Sequence, residues 1–171
     1  MSLYIDIKGI NECDFVNYKK PSMFIVFPYC SFKCEKECGE KFCQNSFLTE
    51  EPTISIKITS VVEKYLKNPI TKAIVCGGLE PFDSWGQLVS LISYFRIRTL
   101  DDIVIYTGYK EEELPKDKID FLKQQKNIIV KFGRYVPNQK TRYDEILGTN
   151  LASENQYAKR MEIENEDNSI T

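Results

Sequence analysis

Residues 30–45 read CSFKCEKECGEKFCQN, and four of the six cysteines of the chain fall inside this stretch. A short apolar run precedes it, Ser22 to Phe27, with Pro28 as a stop. The thiols are therefore expected on a loop at the carboxyl edge of a strand. Open α/β sheets and barrels place their chemistry on that edge.

Downstream, three further apolar runs end abruptly: Ala73 to Cys76 before GGLEPF, Asp102 to Tyr106 before TGY, and Asn127 to Phe132 before GRY. Helical periodicity separates them. Val61, Val62, Tyr65 and Leu66 mark a helix over Thr53 to Asn68, with Thr53 as its cap and an ambiguous first turn where Ile54, Ile56 and Ile58 alternate. Leu88, Leu91, Ile92 and Phe95 form the buried stripe of a helix capped by Asp83, and a third helix lies around Asp117 to Gln125. Strands alternating with helices imply an α/β fold with a mostly parallel sheet and right-handed crossovers. The loops after its strands then meet at one edge, bringing the cysteine loop, Gly77 to Glu80, Thr107 to Tyr109 and Gly133 to Tyr135 to a single site.

The flanks carry less information. Tyr4 to Lys8 alternates as a strand and leads into a polar loop holding Cys13, read as a bystander, while Cys76 is read as strand core. Val136 to Arg160 is polar and expected to wrap the domain. One domain is expected over residues 1–160, and an acidic, disordered tail over 161–171. At 171 residues the chain is shorter than the roughly 250 of a complete (β/α)₈ barrel.

A formal charge of −2 with both signs interspersed gives no broad positive field, so neither nucleic acid nor an anionic membrane is expected as a partner. The opening MSLYIDIKGINE lacks a secretory signal, and no run approaches the roughly 20 apolar residues of a membrane span, so a cytoplasmic location is expected. In a reducing compartment, clustered cysteines serve more often as metal ligands or redox thiols than as disulfides. Histidine is absent, which removes the commonest general base and the usual nitrogen ligand of zinc.

Cys30, Cys34, Cys38 and Cys43 are separated by three, three and four residues. Zinc ribbons prefer well-separated pairs of ligands two residues apart, although four thiolates in one loop also suffice to close a tetrahedron. Iron–sulfur clusters take thiolates from one contiguous loop with varied spacing.

A cysteine, three residues, a second cysteine, then an aromatic residue directly before a third cysteine and Gln-Asn resembles the cluster loop of radical S-adenosylmethionine (SAM) enzymes, here Cys30, Cys34, Phe42, Cys43, Gln44 and Asn45. With YIDIK, FVN, GGLEP, IYTGY followed by EEL, a glycine-bearing strand end and Ser153 to Gln156 in collinear order, residues 3–157 resemble the activating enzyme of the anaerobic ribonucleoside-triphosphate reductase. Two departures stand out. The family has two residues between its second and third cysteines, where this chain has eight, EKECGEKF, and the family's Gly-Gly-Glu carries an inserted leucine, Leu79.

The resemblance implies a partial, open (β/α) barrel of the radical SAM type holding a [4Fe-4S] cluster on three thiolates. SAM would chelate the remaining iron and, once reduced, yield methionine and a 5′-deoxyadenosyl radical. The ligands are then Cys30, Cys34 and Cys43, with the insertion an excursion turned by Gly39. Cys38 as third ligand is the alternative, and it would displace Phe42 and Gln44-Asn45 from their family places. Gly77, Gly78 and Glu80 are expected at the methionine end of SAM, Phe42 against the adenine, and Tyr106 and Gly108 on the pocket floor. Implied partners are an anaerobic ribonucleotide reductase or another glycyl radical enzyme and a low-potential donor such as flavodoxin or ferredoxin, for which Lys33 and Lys36 offer a basic rim. Two alternatives stay open: a non-catalytic iron–sulfur or zinc protein using all four cysteines, and a radical SAM enzyme for another peptide or nucleotide.

Overall fold

A computed structural model describes residues 1–163. In chain order they form β1 (Tyr4–Ile7), β2 (Gly9–Asp14), β3 (Ser22–Phe27), α1 (Lys33–Cys38), β4 (Ile54–Lys57), α2 (Ile58–Lys67), β5 (Ala73–Gly78), α3 (Trp85–Arg98), β6 (Asp102–Tyr106), α4 (Lys116–Gln124), β7 (Ile128–Phe132), β8 (Arg142–Asp144), β9 (Thr149–Leu151) and β10 (Tyr157–Met161). The four apolar runs become the parallel middle of a mixed six-stranded sheet, in the order β10-β7-β6-β5-β3-β2. Such strands are covered on both faces, which is why they read as unbroken apolar runs. The edges β2 and β10 run antiparallel to their neighbours and are more polar.

From β3 to β7 the strand order steps one way and never reverses. With crossovers of one hand, every connecting helix then falls on the same face. The main core lies there, where Leu88, Leu91, Ile92 and Phe95 of α3 and Ile58, Val61, Val62 and Tyr65 of α2 meet Ile25, Ile74, Ile105 and Val130 of the sheet. Full burial of each such side chain contributes about 1.5–3 kcal/mol. The other face has a thinner cover: Tyr18, Leu147 and Leu151, from two loops and β9, pack on Val75, Val104 and Ile129. Helices hold one side, and the opposite side is left for a cavity.

Several expectations need correction. The segment read as a polar loop after β1 is the edge strand β2, so Cys13 sits partly exposed in a strand. The ambiguous turn at Ile54 to Lys57 is strand β4, pairing antiparallel with β1 in a sheet of its own, so Thr53 caps nothing and α2 begins at Ile58. The alternation of Ile54 and Ile56 was a strand signal, and Leu66 is 40% exposed instead of joining the helix stripe. Residues 136–160 contain the β8–β9 hairpin and most of β10, which ends at the buried Met161. The tail from residue 164 onward lies outside the described residues.

Asp102, at the start of β6, pins the thinner face. It accepts hydrogen bonds from Lys20 Nζ at 2.5 Å and Tyr18 Oη at 2.9 Å, with Arg160 at 3.7 Å. Burial pulls its carboxyl upward, but the bonds from Lys20 and Tyr18 outweigh this and hold it below the usual range. Asp102→Ala leaves the buried Tyr18 hydroxyl without its acceptor and is expected to cost about 2 kcal/mol in urea unfolding near neutral pH. A carboxyl depressed in the folded state stabilises above its unfolded pKa and stops doing so as pH falls through the folded value. The gap between wild type and variant should therefore close in acid, and a gap that is constant with pH would count against the pairing.

Candidate metal centre

After β3 the chain turns at the carboxyl edge into the cysteine stretch. Phe32, in the left-handed region at φ 51°, starts α1, and its amide donates to Cys30 Sγ at 3.3 Å. The first turn of α1 carries Cys34. Gly39 ends the helix at φ 71°, a conformation that glycine adopts without strain. The chain then returns: Cys43 N donates to Glu35 Oε1 at 2.9 Å, Phe42 packs edge-on against Tyr135 with ring centroids 5.7 Å apart, and Asn45 Nδ2 donates to Gly78 O at 2.8 Å. Asp83, expected as a helix cap, instead accepts from Ser31 N and Tyr109 Oη, both at 2.6 Å, tying the cysteine stretch to the loop after β6.

A cavity of about 600 Å³ opens on the thinly covered face at this edge. Cys30, Cys34 and Cys43 line it, together with Phe42, Gly78, Glu80, Tyr106 and Gly108. Gly77 does not. A Cβ there would stand 3.1 Å from the Phe24 ring, and one on Gly78, at φ 84°, would stand 2.5 Å from Val26 Cγ1. The packing of β3 against β5 thus requires glycine at 78 and is tight at 77, whatever occupies the cavity. Tyr106 is a clamp, donating from Oη to Asn17 O at 2.5 Å. Cys38 ends α1, and its side chain lies outside the described residues.

Glu80 is buried, only 7% exposed. Its Oε1 accepts from Thr107 Oγ1 at 2.8 Å and Phe82 N at 3.1 Å, and its Oε2 accepts from Gly108 N at 2.8 Å. Burial pushes its carboxyl up to about 7 despite these three donors. Through it the ends of β5 and β6 are held together, and Glu80 N reaches Tyr29 O, beside Cys30, at 2.6 Å.

Two cations on the wall were not singled out from the sequence. Arg134 is held by Glu113, donating from Nη1 and Nη2 at 2.7 and 2.8 Å, and its Nε lies 3.3 Å from Glu37 of α1 as an ion pair without a hydrogen bond. Lys131 is buried, lines the cavity and donates to Gly133 O at 2.9 Å, and among the described residues no carboxylate lies within ion-pair distance of it. Burial pulls its ammonium down to about 8. A single lysine in the apolar strand IIVKF was the available signal.

The three described thiols suit a cluster better than a single ion. Burial pushes Cys30 up to about 12, and Cys34 is raised by burial and by the charge of Cys43, so the group shares one desolvated neighbourhood that a cationic centre would relieve. Among the described residues no three cysteine, aspartate or glutamate side chains converge to hold one metal ion. In a cubane each thiolate binds a different iron, so its ligands ring a space instead of meeting at a point. Cys30, Cys34 and Cys43 all line the one cavity without converging on a single point.

A family model described as a 4Fe-4S single cluster domain matches residues 21–157, and the chain belongs to this family. It is an iron–sulfur, metal-binding domain. The match begins just before β3 and ends in β10, so it takes in all four parallel strands and the lining of the cavity apart from Val16 and Asn17. No curated protein matches the chain. No helix among the described residues is long and apolar enough to cross a membrane.

Proposed function

We propose that the domain is a radical SAM activase, which cleaves SAM to generate a glycyl radical on an anaerobic ribonucleotide reductase. The observation that carries this reading is that Cys30, Cys34 and Cys43 line one cavity at the carboxyl edge of a sheet that steps in one direction. We take that sheet as the open part-barrel of the radical SAM type. When bound on three thiolates, the [4Fe-4S] cluster supplies the electron that splits SAM into methionine and a 5′-deoxyadenosyl radical.

The chain's own residues bind and orient. Gly78 and Asn45 line the wall beside the thiols and fix each other through the Gly78 carbonyl, leaving backbone close to the methionine end of SAM. Lys131 offers an ammonium to a carboxylate, and Phe42, backed by Tyr135, offers an apolar face to the adenine. Glu80 keeps the loops after β5 and β6 in register around the ligand. The thinly covered face suits a polypeptide loop as substrate, and the exposed Lys33 and Lys36 suit an acidic electron carrier such as flavodoxin or ferredoxin.

The test is anaerobic incubation of the reconstituted protein with SAM, a reductant and the reductase encoded beside it. Methionine, 5′-deoxyadenosine and a glycyl radical doublet in electron paramagnetic resonance are expected. SAM cleavage without the doublet would transfer the reading to another peptide or nucleotide substrate. A cluster that never cleaves SAM would leave a non-catalytic iron–sulfur protein.

A further inference from the structure

Between Cys34 and Cys43 the chain makes an excursion of eight residues, Glu35 to Phe42, and the two ends of that excursion touch. Glu35, its first residue, reaches across with its side chain and accepts the amide hydrogen of Cys43 at 2.9 Å. The helical turn from Lys33 and the reversal at Gly39, where Gly39 N donates to Glu35 O at 2.9 Å, bring the chain back to this point. The arc between is exposed at Lys36, Glu37, Glu40 and Lys41, and Glu37 leans on Arg134 at 3.3 Å. Cys34 feels the charge of Cys43 as its largest electrostatic influence, so the two thiols are neighbours despite the length of chain between them.

We infer that Glu35 is a positioning residue: its carboxylate clasps the excursion shut at the Cys43 amide and so presents Cys43, across eight intervening residues, as the third ligand of the cluster. This rests on the cluster reading above. A long loop free at its exit samples many placements of its last thiol, and closing it at the base removes that freedom before metal arrives. An acceptor bearing a full negative charge makes the bond stronger than a neutral one, and the bond is partly shielded from water. Because the tie is made at the base, the arc beyond it is free to differ in sequence without parting the thiols.

The test uses the full chain with Glu35→Ala, Glu35→Gln and, as a control in the exposed arc, Glu40→Ala. In metal-free protein, hydrogen exchange at the Cys43 amide is measured. Protection is expected in wild type, Glu40→Ala and Glu35→Gln, whose amide oxygen still accepts, and is expected to vanish in Glu35→Ala. After anaerobic reconstitution, a ferrous chelator should strip iron from Glu35→Ala about tenfold faster or more, the scale seen when a group orienting a metal ligand is removed. Glu35→Gln should stay near wild type. Equal stripping rates in Glu35→Ala and wild type overturn the clasp. So does a wild-type Cys43 amide that exchanges as fast as those of Glu40 and Lys41, which needs no variant to fold. A wild-type chain that takes up no iron and sulfide overturns the cluster reading instead, and the exchange measurement still decides the clasp.

Discussion

Replacing Cys30, Cys34 or Cys43 singly with alanine is expected to abolish the four-iron cluster and all SAM cleavage, while Cys38→Ala keeps both. A cubane that loses one of three protein thiolates exposes a second iron and falls apart in oxygen or chelator, so the effect is a loss to background. Each of the three thiols lines the cavity, and each is anchored by its own contact: Phe32 N at Cys30, helix α1 at Cys34, Glu35 at Cys43. Iron and sulfide per chain, with the absorbance of the brown anaerobic protein, read the outcome. Loss of the cluster in Cys38→Ala with retention in Cys43→Ala would reverse the ligand set. Stoichiometric zinc without sulfide would sink the cluster altogether.

Glu80→Ala is expected to lower unfolding stability by about 3 kcal/mol, because it strands two buried donors and a third that is half-buried, a buried one costing roughly 1–3 kcal/mol when left unpaired. Thr107 Oγ1, Phe82 N and Gly108 N all lose their acceptor at once. Glu80→Gln keeps an oxygen for part of this set but points an amide NH₂ at the rest, so an intermediate loss is expected. Urea midpoints of the metal-free chain measure both. A Glu80→Ala protein that unfolds at the wild-type midpoint yet no longer binds SAM would restore the ligand-contact role that the sequence suggested and overturn the strut described above.

Glu80 also marks where the sequence stopped being legible, since its hydrogen bonds come from a loop distant in the chain. Met23 to Phe27, Ala73 to Cys76, Asp102 to Tyr106 and Ile128 to Phe132 announce themselves as strands because both faces are covered, so the runs are apolar but for Asp102 and Lys131. The helix stripe of Leu88, Leu91, Ile92 and Phe95 is equally plain, since a single face decides it. Edge strands carry no such signal. Gly9 to Asp14 and Tyr157 to Met161 have one buried neighbour and polar company, and their pairing is fixed by partners distant in the chain. Glu80 is the same problem in one residue: a glutamate after two glycines reads as a surface turn, and only the loop after β6, folded alongside, buries it. The cysteines were legible as a group because their chemistry is local. What makes Cys43 a neighbour of Cys34 is a side-chain bond from Glu35, which spacing alone does not reveal.

The thin cover over the cavity face also has a consequence for how the protein is born. The thiols at Cys30, Cys34 and Cys43 leave the ribosome early, whereas the walls that enclose them come from Lys131, Arg134, Leu151 and Gln156 far downstream. At roughly 5–20 residues per second, the interval is on the order of ten seconds. Throughout it the nascent chain displays naked cysteines with no pocket around them. Any oxidant that reaches the chain during synthesis therefore meets its thiols at their most accessible, and a cluster loaded after the later strands are complete enters a walled site.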